Sequence, residues 1–154
     1  MTANIKGLKQ LQRKLDRLPS IVKERIREAL EDGANEIVNM AKSLVPSDTS
    51  ALRDSIGWTY GQAPKGAMTL GKVQAIGGDL TITIYAGNSE AFYARWVEFG
   101  TAAHTAGGRF EGATIPAIPA SPYFYVSFRA LRRRVKSRVT RSINKAAKDV
   151  AAGR

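Results

Sequence analysis

Val22, Ile26, Ala29/Leu30, Gly33, Ile37, Met40/Ala41 and Leu44 recur every three or four residues and draw one long apolar stripe. At 1.5 Å per residue this stripe predicts roughly 37 Å of amphipathic helix, capped by Ser20 and ended by Pro46. A helix of that length needs a partner along its whole apolar face. The far end of the chain offers one: from about Pro122, the positions Phe128, Leu131, Val135, Val139, Ile143, Ala146/Ala147 and Val150 repeat the spacing. A shorter stripe, Ile5, Leu8, Leu11, Leu15 and Leu18, precedes both and is stopped by Pro19. Gly33 lies on the main stripe itself. There it either lets another backbone approach closely or is tolerated at about 1 kcal/mol against alanine.

Between the helices the period changes. Ile56, Trp58 and Tyr60 alternate with Ser55, Gly57 and Thr59, and Leu80, Ile82 and Ile84 alternate with Asp79, Thr81 and Thr83. Both stretches read as half-buried strands. Val73–Ile76 is the expected hairpin partner of the second, through Gly77-Gly78-Asp79, and residues 61–72 read as a loop. Ala91–Phe99 is compatible with a short helix or a strand. Residues 100–121 carry no period and read as a mobile loop or arm. The fold class is therefore α+β: a small antiparallel sheet of three or four strands packed against a long N-terminal helix and a long basic C-terminal helix. The 154 residues are expected to form a single domain. It divides into a helical part (1–45), a sheet-rich core (46–99), the arm (100–121) and the basic helix (122–151).

Charge is distributed unevenly. The formal net charge is +11, and residues 121–154 hold ten basic and one acidic side chain, net +9. Arg134, Arg138, Arg141, Lys145 and Lys148 step by four, three, four and three into one continuous basic stripe beside the apolar one. Arg129, Arg132, Arg133 and Lys136 flank the other side, and Asp149 is the one acid of that helix. Like charges at this spacing destabilise a helix by some tenths of a kcal/mol per pair. Contact with nucleic acid, docking on an acidic protein surface, or plain solvation of the charged heads would each offset that repulsion. No aromatics interleave with the charges and nothing resembles a base-reading module, so DNA is not the favoured partner.

Arrangements that carry chemistry are missing. There is no cysteine, so neither disulfides nor thiolate chemistry is available, and a reducing cytoplasm suits the chain. His104 is the single histidine and has no companion ligands in view, which makes it a polar loop residue rather than a metal site. No nucleophile elbow, Walker loop or dinucleotide fingerprint occurs. Glu98, beside Phe99-Gly100-Thr101, is better read as fixing the following glycine turn than as a general acid. It would do so by a hydrogen bond or by a salt bridge, including one with a basic residue of a neighbouring subunit. Tyr93, Trp96 and Phe99 read as core or interface anchors. Pro116, Pro119 and Pro122 hold the approach to the last helix extended, and Pro122 suits its first turn. Tyr123, Phe124, Tyr125 and Phe128 are too many for one face and should leave aromatic surface over for a partner. No apolar run approaches the roughly 20 residues that span a bilayer, and the N-terminal residues do not read as a signal peptide.

Three segments carry a resemblance. Pro46, Asp48, Thr49, Leu52, Arg53 and Ser55 form the first, with Ser50 where glycine is usual. Tyr93, Ala94, Val97, Glu98, Phe99, Gly100 and Thr101 form the second, and Pro116, Ala117, Pro119 and Phe124 the third. In this order, between two helical patterns, they resemble the minor tail-component family of long-tailed bacteriophages, whose members are described as neck or tail-completion proteins. The resemblance spans roughly residues 5–148. It implies a structural virion protein of the neck, assembled in the bacterial host cytoplasm, with these residues as packing and assembly elements. It further implies a self-associated ring, expected to be a hexamer. That ring would join head-closure or connector proteins to tail terminator or tail tube proteins, with non-specific contact to DNA in its channel. An enzyme, a cofactor and a membrane have no part in this expectation. The alternatives are a tail terminator ring and, in another class, a basic DNA-binding accessory protein.

Overall fold

The computed structural model describes residues 20–46, 50–69 and 82–153. The expected helix over residues 5–18 and the expected strand Val73–Ile76 lie outside them.

Helix α1 (Ser20–Leu44) has the predicted length and buries Val22, Ile26, Ala29, Gly33, Ala34, Ile37, Val38 and Ala41. Leu44 departs from the expected stripe and is exposed, while Val45 is buried in its place. The regular helix ends at Leu44, and Val45 donates its N–H to the Ala41 carbonyl (3.0 Å) as the chain turns towards the core. A five-residue helix, α2 (Ser50–Asp54), follows and buries Leu52. It is too short to show a period, and the sequence did not announce it.

Three strands form the sheet: β1 (Gly57–Tyr60), β2 (Met68–Thr69) and β3 (Ile82–Ala86), in the order β1-β3-β2 and antiparallel throughout. The register runs from Gly57 opposite Tyr85 to Tyr60 opposite Ile82, with Met68 opposite Ala86. β2 falls inside the stretch expected to be loop, because two residues cannot display an alternation. β1 starts later than the expected alternation. Ser55 and Ile56 close α2 instead, with N–H groups donating to Ala51 and Leu52 and to Arg53, respectively.

Helix α3 (Ala94–Phe99) resolves the ambiguity of residues 91–99 in favour of helix. Residues 100–121 form an arm with order of its own rather than an irregular loop. β4 (His104–Thr105) pairs antiparallel with β5 (Thr114–Ile115), and a 3₁₀ turn, Gly108–Phe110, lies between them. Helix α4 (Phe124–Ala151) then runs back along α1. The two are antiparallel: Arg25 meets Asp149, Gly33 meets Val135 and Glu36 meets Arg138. A Cβ at Gly33 would stand 2.4 Å from Val135 Cγ1, so the glycine admits a side chain rather than a backbone.

The main core gathers Ile37, Val38, Ala41 and Val45 of the α1 region with Leu52, Ile56, Met68, Ala86, Ala91, Ala94, Tyr123 and Phe124. Val22, Ile26 and Ala146 make a second cluster at the other end of the helix pair. The molecule is thus the α+β arrangement expected of the sequence, a small antiparallel sheet against two long helices.

Candidate functional site

At the joint of α3, the arm and α4, the chain brings together parts of all three sequence segments. Helix α4 starts with no side-chain cap of its own: Tyr123 occupies the cap position and the first turn contains no acid. Its free N–H groups still need acceptors in a buried place. Glu98, only 3 % exposed, supplies them from α3. Its Oε2 accepts from the N–H of Tyr123 (2.8 Å) and Phe124 (2.9 Å), and its Oε1 from that of Tyr125 (3.0 Å). A carboxylate at this position also meets the positive end of the α4 dipole. The hydrogen bonding expected of Glu98 is present, but it is directed to the start of a distant helix of its own chain rather than to the glycine turn. Both of its oxygens are thus bonded to main-chain donors. The expected place of Pro122 is corrected, since it precedes the helix instead of sitting in its first turn.

Gly100 follows with φ +69°, the left-handed region, and a Cβ there would lie 2.6 Å from the Ile118 carbonyl oxygen. That closeness lets Thr101 and Ile118 exchange backbone hydrogen bonds (2.9 and 3.0 Å), while Ser121 N–H donates to Val97 O (2.8 Å). These bonds form the base of the arm. From the first segment, Leu52 is in the core and Ser55 is buried. The Ser55 hydroxyl donates to Leu52 O (2.6 Å) and accepts from Gly87 N–H (3.1 Å), tying α2 to the end of β3. Pro46 directly follows the last turn of α1, and Arg53 is exposed. Thr49 lies outside the described residues. Ala94 and Phe124 are in the core; Pro116 and Pro119 lie exposed on the arm.

The outer side of α3 is aromatic. Trp96 is 47 % exposed, Phe99 58 % and Phe92 59 %, and the Phe92 and Trp96 rings meet edge-on at 5.4 Å. Tyr93, by contrast, packs against the core. The surplus of aromatic surface expected at the start of α4 is found here instead. Tyr123 and Phe124 are fully buried, and Tyr125 and Phe128 pack against the core. Sequence reasoning passed over Phe92 and also Phe110, which is 71 % exposed at the arm's turn. The signal for Phe110 was an aromatic set among the glycines of Gly107-Gly108-Arg109-Phe110-Glu111-Gly112.

Helix α1 divides the basic stripe of α4. Glu36 takes Arg138 (2.5 Å) and, more loosely, Arg134 (3.6 Å). Asp149 is engaged by Arg25. Arg141, Lys145 and Lys148 stay exposed and without an ion pair among the described residues; Arg141 Nε makes only a long bond to the Ser137 carbonyl (3.4 Å). Glu36 is the residue that sequence reasoning missed here, because pairing across helices leaves no local spacing. His104 is exposed, with Nδ1 3.0 Å from Ala102 O, and the described residues contain no cluster of His, Cys, Asp or Glu suited to a metal.

A family model described as "Bacteriophage HK97-gp10, putative tail-component" matches residues 9–100, ending at the glycine that starts the arm. No curated protein and no solved structure matches the chain.

Proposed function

The chain belongs to the HK97-gp10-like family of bacteriophage tail components, and from that premise we propose that it is a ring subunit of the phage neck. It joins the DNA-filled head, through head-closure or connector proteins, to the tail. The observation that carries this reading is the joint at Glu98. One buried carboxylate ties the start of α4 to a short helix whose outer side bears exposed aromatics, and backbone bonds of Thr101, Ile118 and Ser121 close the arm base beside it. Such a joint orients two unlike surfaces, an aromatic patch and a projecting arm, at a set angle to each other. Unlike surfaces that fit one another make heterologous contacts, which build a ring when the rotation between copies closes. Six copies would match the symmetry implied by the family resemblance.

The role is structural rather than catalytic, consistent with Glu98 being spent on helix capping. Arg141, Lys145 and Lys148 supply a positive face for an acidic neighbouring ring or for DNA in the channel. No helix among the described residues is long and apolar enough to cross a membrane.

A stop codon early in the gene, in the phage or prophage that carries it, tests the proposal by negative-stain imaging of the lysate. DNA-filled heads beside detached tails of normal length are the expected outcome. Overlong or ragged tails would transfer the protein to the tail terminator position. Normal infectious particles would overturn both positions and favour a DNA-binding accessory role.

A further inference from the structure

Phe110 presents an aromatic ring to solvent at the far end of the arm, flanked by Arg109 and Glu111. Elsewhere on the same chain a cavity of about 190 Å³ opens beside the aromatic side of α3, lined by Gly66, Met68, Phe92, Ala94, Arg95 and Trp96. Its volume is of the order that an aromatic ring needs, with Met68, Phe92 and Trp96 as the apolar wall and Arg95 as a polar one. The charges around the two features are complementary. Arg95 lines the cavity and Glu90 stands exposed just before Phe92, so each has an opposite number at the arm tip in Glu111 and Arg109. None of these four makes an ion pair among the described residues.

We propose that the arm tip of one copy seats Phe110 in the Met68/Phe92/Trp96 cavity of the next copy, with Glu111 towards Arg95 and Arg109 towards Glu90. Every copy carries one tip and one cavity, so the contact is heterologous and propagates around a ring. A buried aromatic anchor with a charged rim is the composition expected of an interface hot spot. The inference rests on the ring reading given above and names the contact that builds it.

Because the chain has no cysteine, Ala113→Cys and Ser89→Cys together place one thiol beside each half of the contact and leave both anchors intact. With a short bismaleimide, the full-length double variant should give a ladder of covalent oligomers. Ala113→Cys paired with Lys148→Cys should not, and equal ladders would overturn the contact. A double variant that sediments as an oligomer yet is not cross-linked overturns the arm-to-cavity contact while leaving the ring standing. A chain that stays monomeric at every concentration, without a ladder, overturns both. As a second measurement, Glu111→Arg and Arg95→Glu should each weaken association about tenfold, and their combination should restore it. Summed losses without restoration would count against the pairing. Phe110→Ala should weaken association about tenfold or more with an unchanged circular dichroism spectrum; unaltered association would overturn the proposal.

Discussion

Glu98 has two oxygens and serves three N–H donors at the start of α4. Alanine there leaves three donors without that partner, two of them buried and one part-buried, and the expected loss is about 2–4 kcal/mol. Glutamine keeps one accepting oxygen and should lose about half as much. Urea unfolding measures both; midpoints equal to wild type would remove Glu98 from the joint. Tyr123 stands on the same joint, its hydroxyl 3.4 Å from Ala94 O. Burial first, then the Glu98 charge and then Tyr93, push its phenol well above the ordinary value of 10. Tyr60 is pushed up to about 12, by burial and then by Glu31, against a smaller opposing pull from Arg27. Unfolded tyrosine ionises near 10, so above that pH the unfolded chain gives up protons that the native one keeps. Stability is then full below about pH 10 and falls as pH rises beyond it. Tyr123→Phe should change neutral stability by about 1 kcal/mol or less and flatten the alkaline decline. Thermal melting from about pH 8 to 12 checks this, and an unchanged decline would assign the titration elsewhere.

Helices α1 and α4 approach at Gly33, where Val135 occupies the space of a missing side chain. Valine in a helix is nearly confined to one χ1 rotamer and yields poorly. Gly33→Ala therefore sets an overpacking cost of about 1–3 kcal/mol against a helix-propensity gain of about 1 kcal/mol. Net destabilisation is expected, relieved when Val135→Ala is added. A single variant that melts higher than wild type would contradict the close approach. The helices themselves were legible because their stripes repeat many times, and α1 ends where the proline said it would. The short elements were not. β2, β4 and β5 have two residues each and α2 little more than one helical turn, too few to express a period; β2 and α2 hold their places through β3 and the core, β4 and β5 through each other.

Over the whole molecule, the positive charge concentrates on one helix, and α1 neutralises only the part within reach of Glu36. Arg141, Lys145 and Lys148 are left over. Reversing these three to glutamate should leave melting within about 1 kcal/mol, as expected of surface positions, while abolishing the joining of heads to tails. Arg138→Glu should behave differently, lowering stability by setting like charges together beside Glu36. Melting curves and the infectivity of mixed heads and tails separate the two effects. Joining that survives the triple reversal would make the stripe a solvated face. The sequence by itself determined the two long helices, the strand-forming middle, the uneven charge and the family, because period, composition and motif are properties of neighbouring residues. Only the tertiary structure decided what Glu98 does, since its acceptors serve donors 25 and more positions away. It also decided which arginines are neutralised and on which helix the spare aromatics emerge, because a side chain's environment is set by the packing of elements that no local pattern brings together.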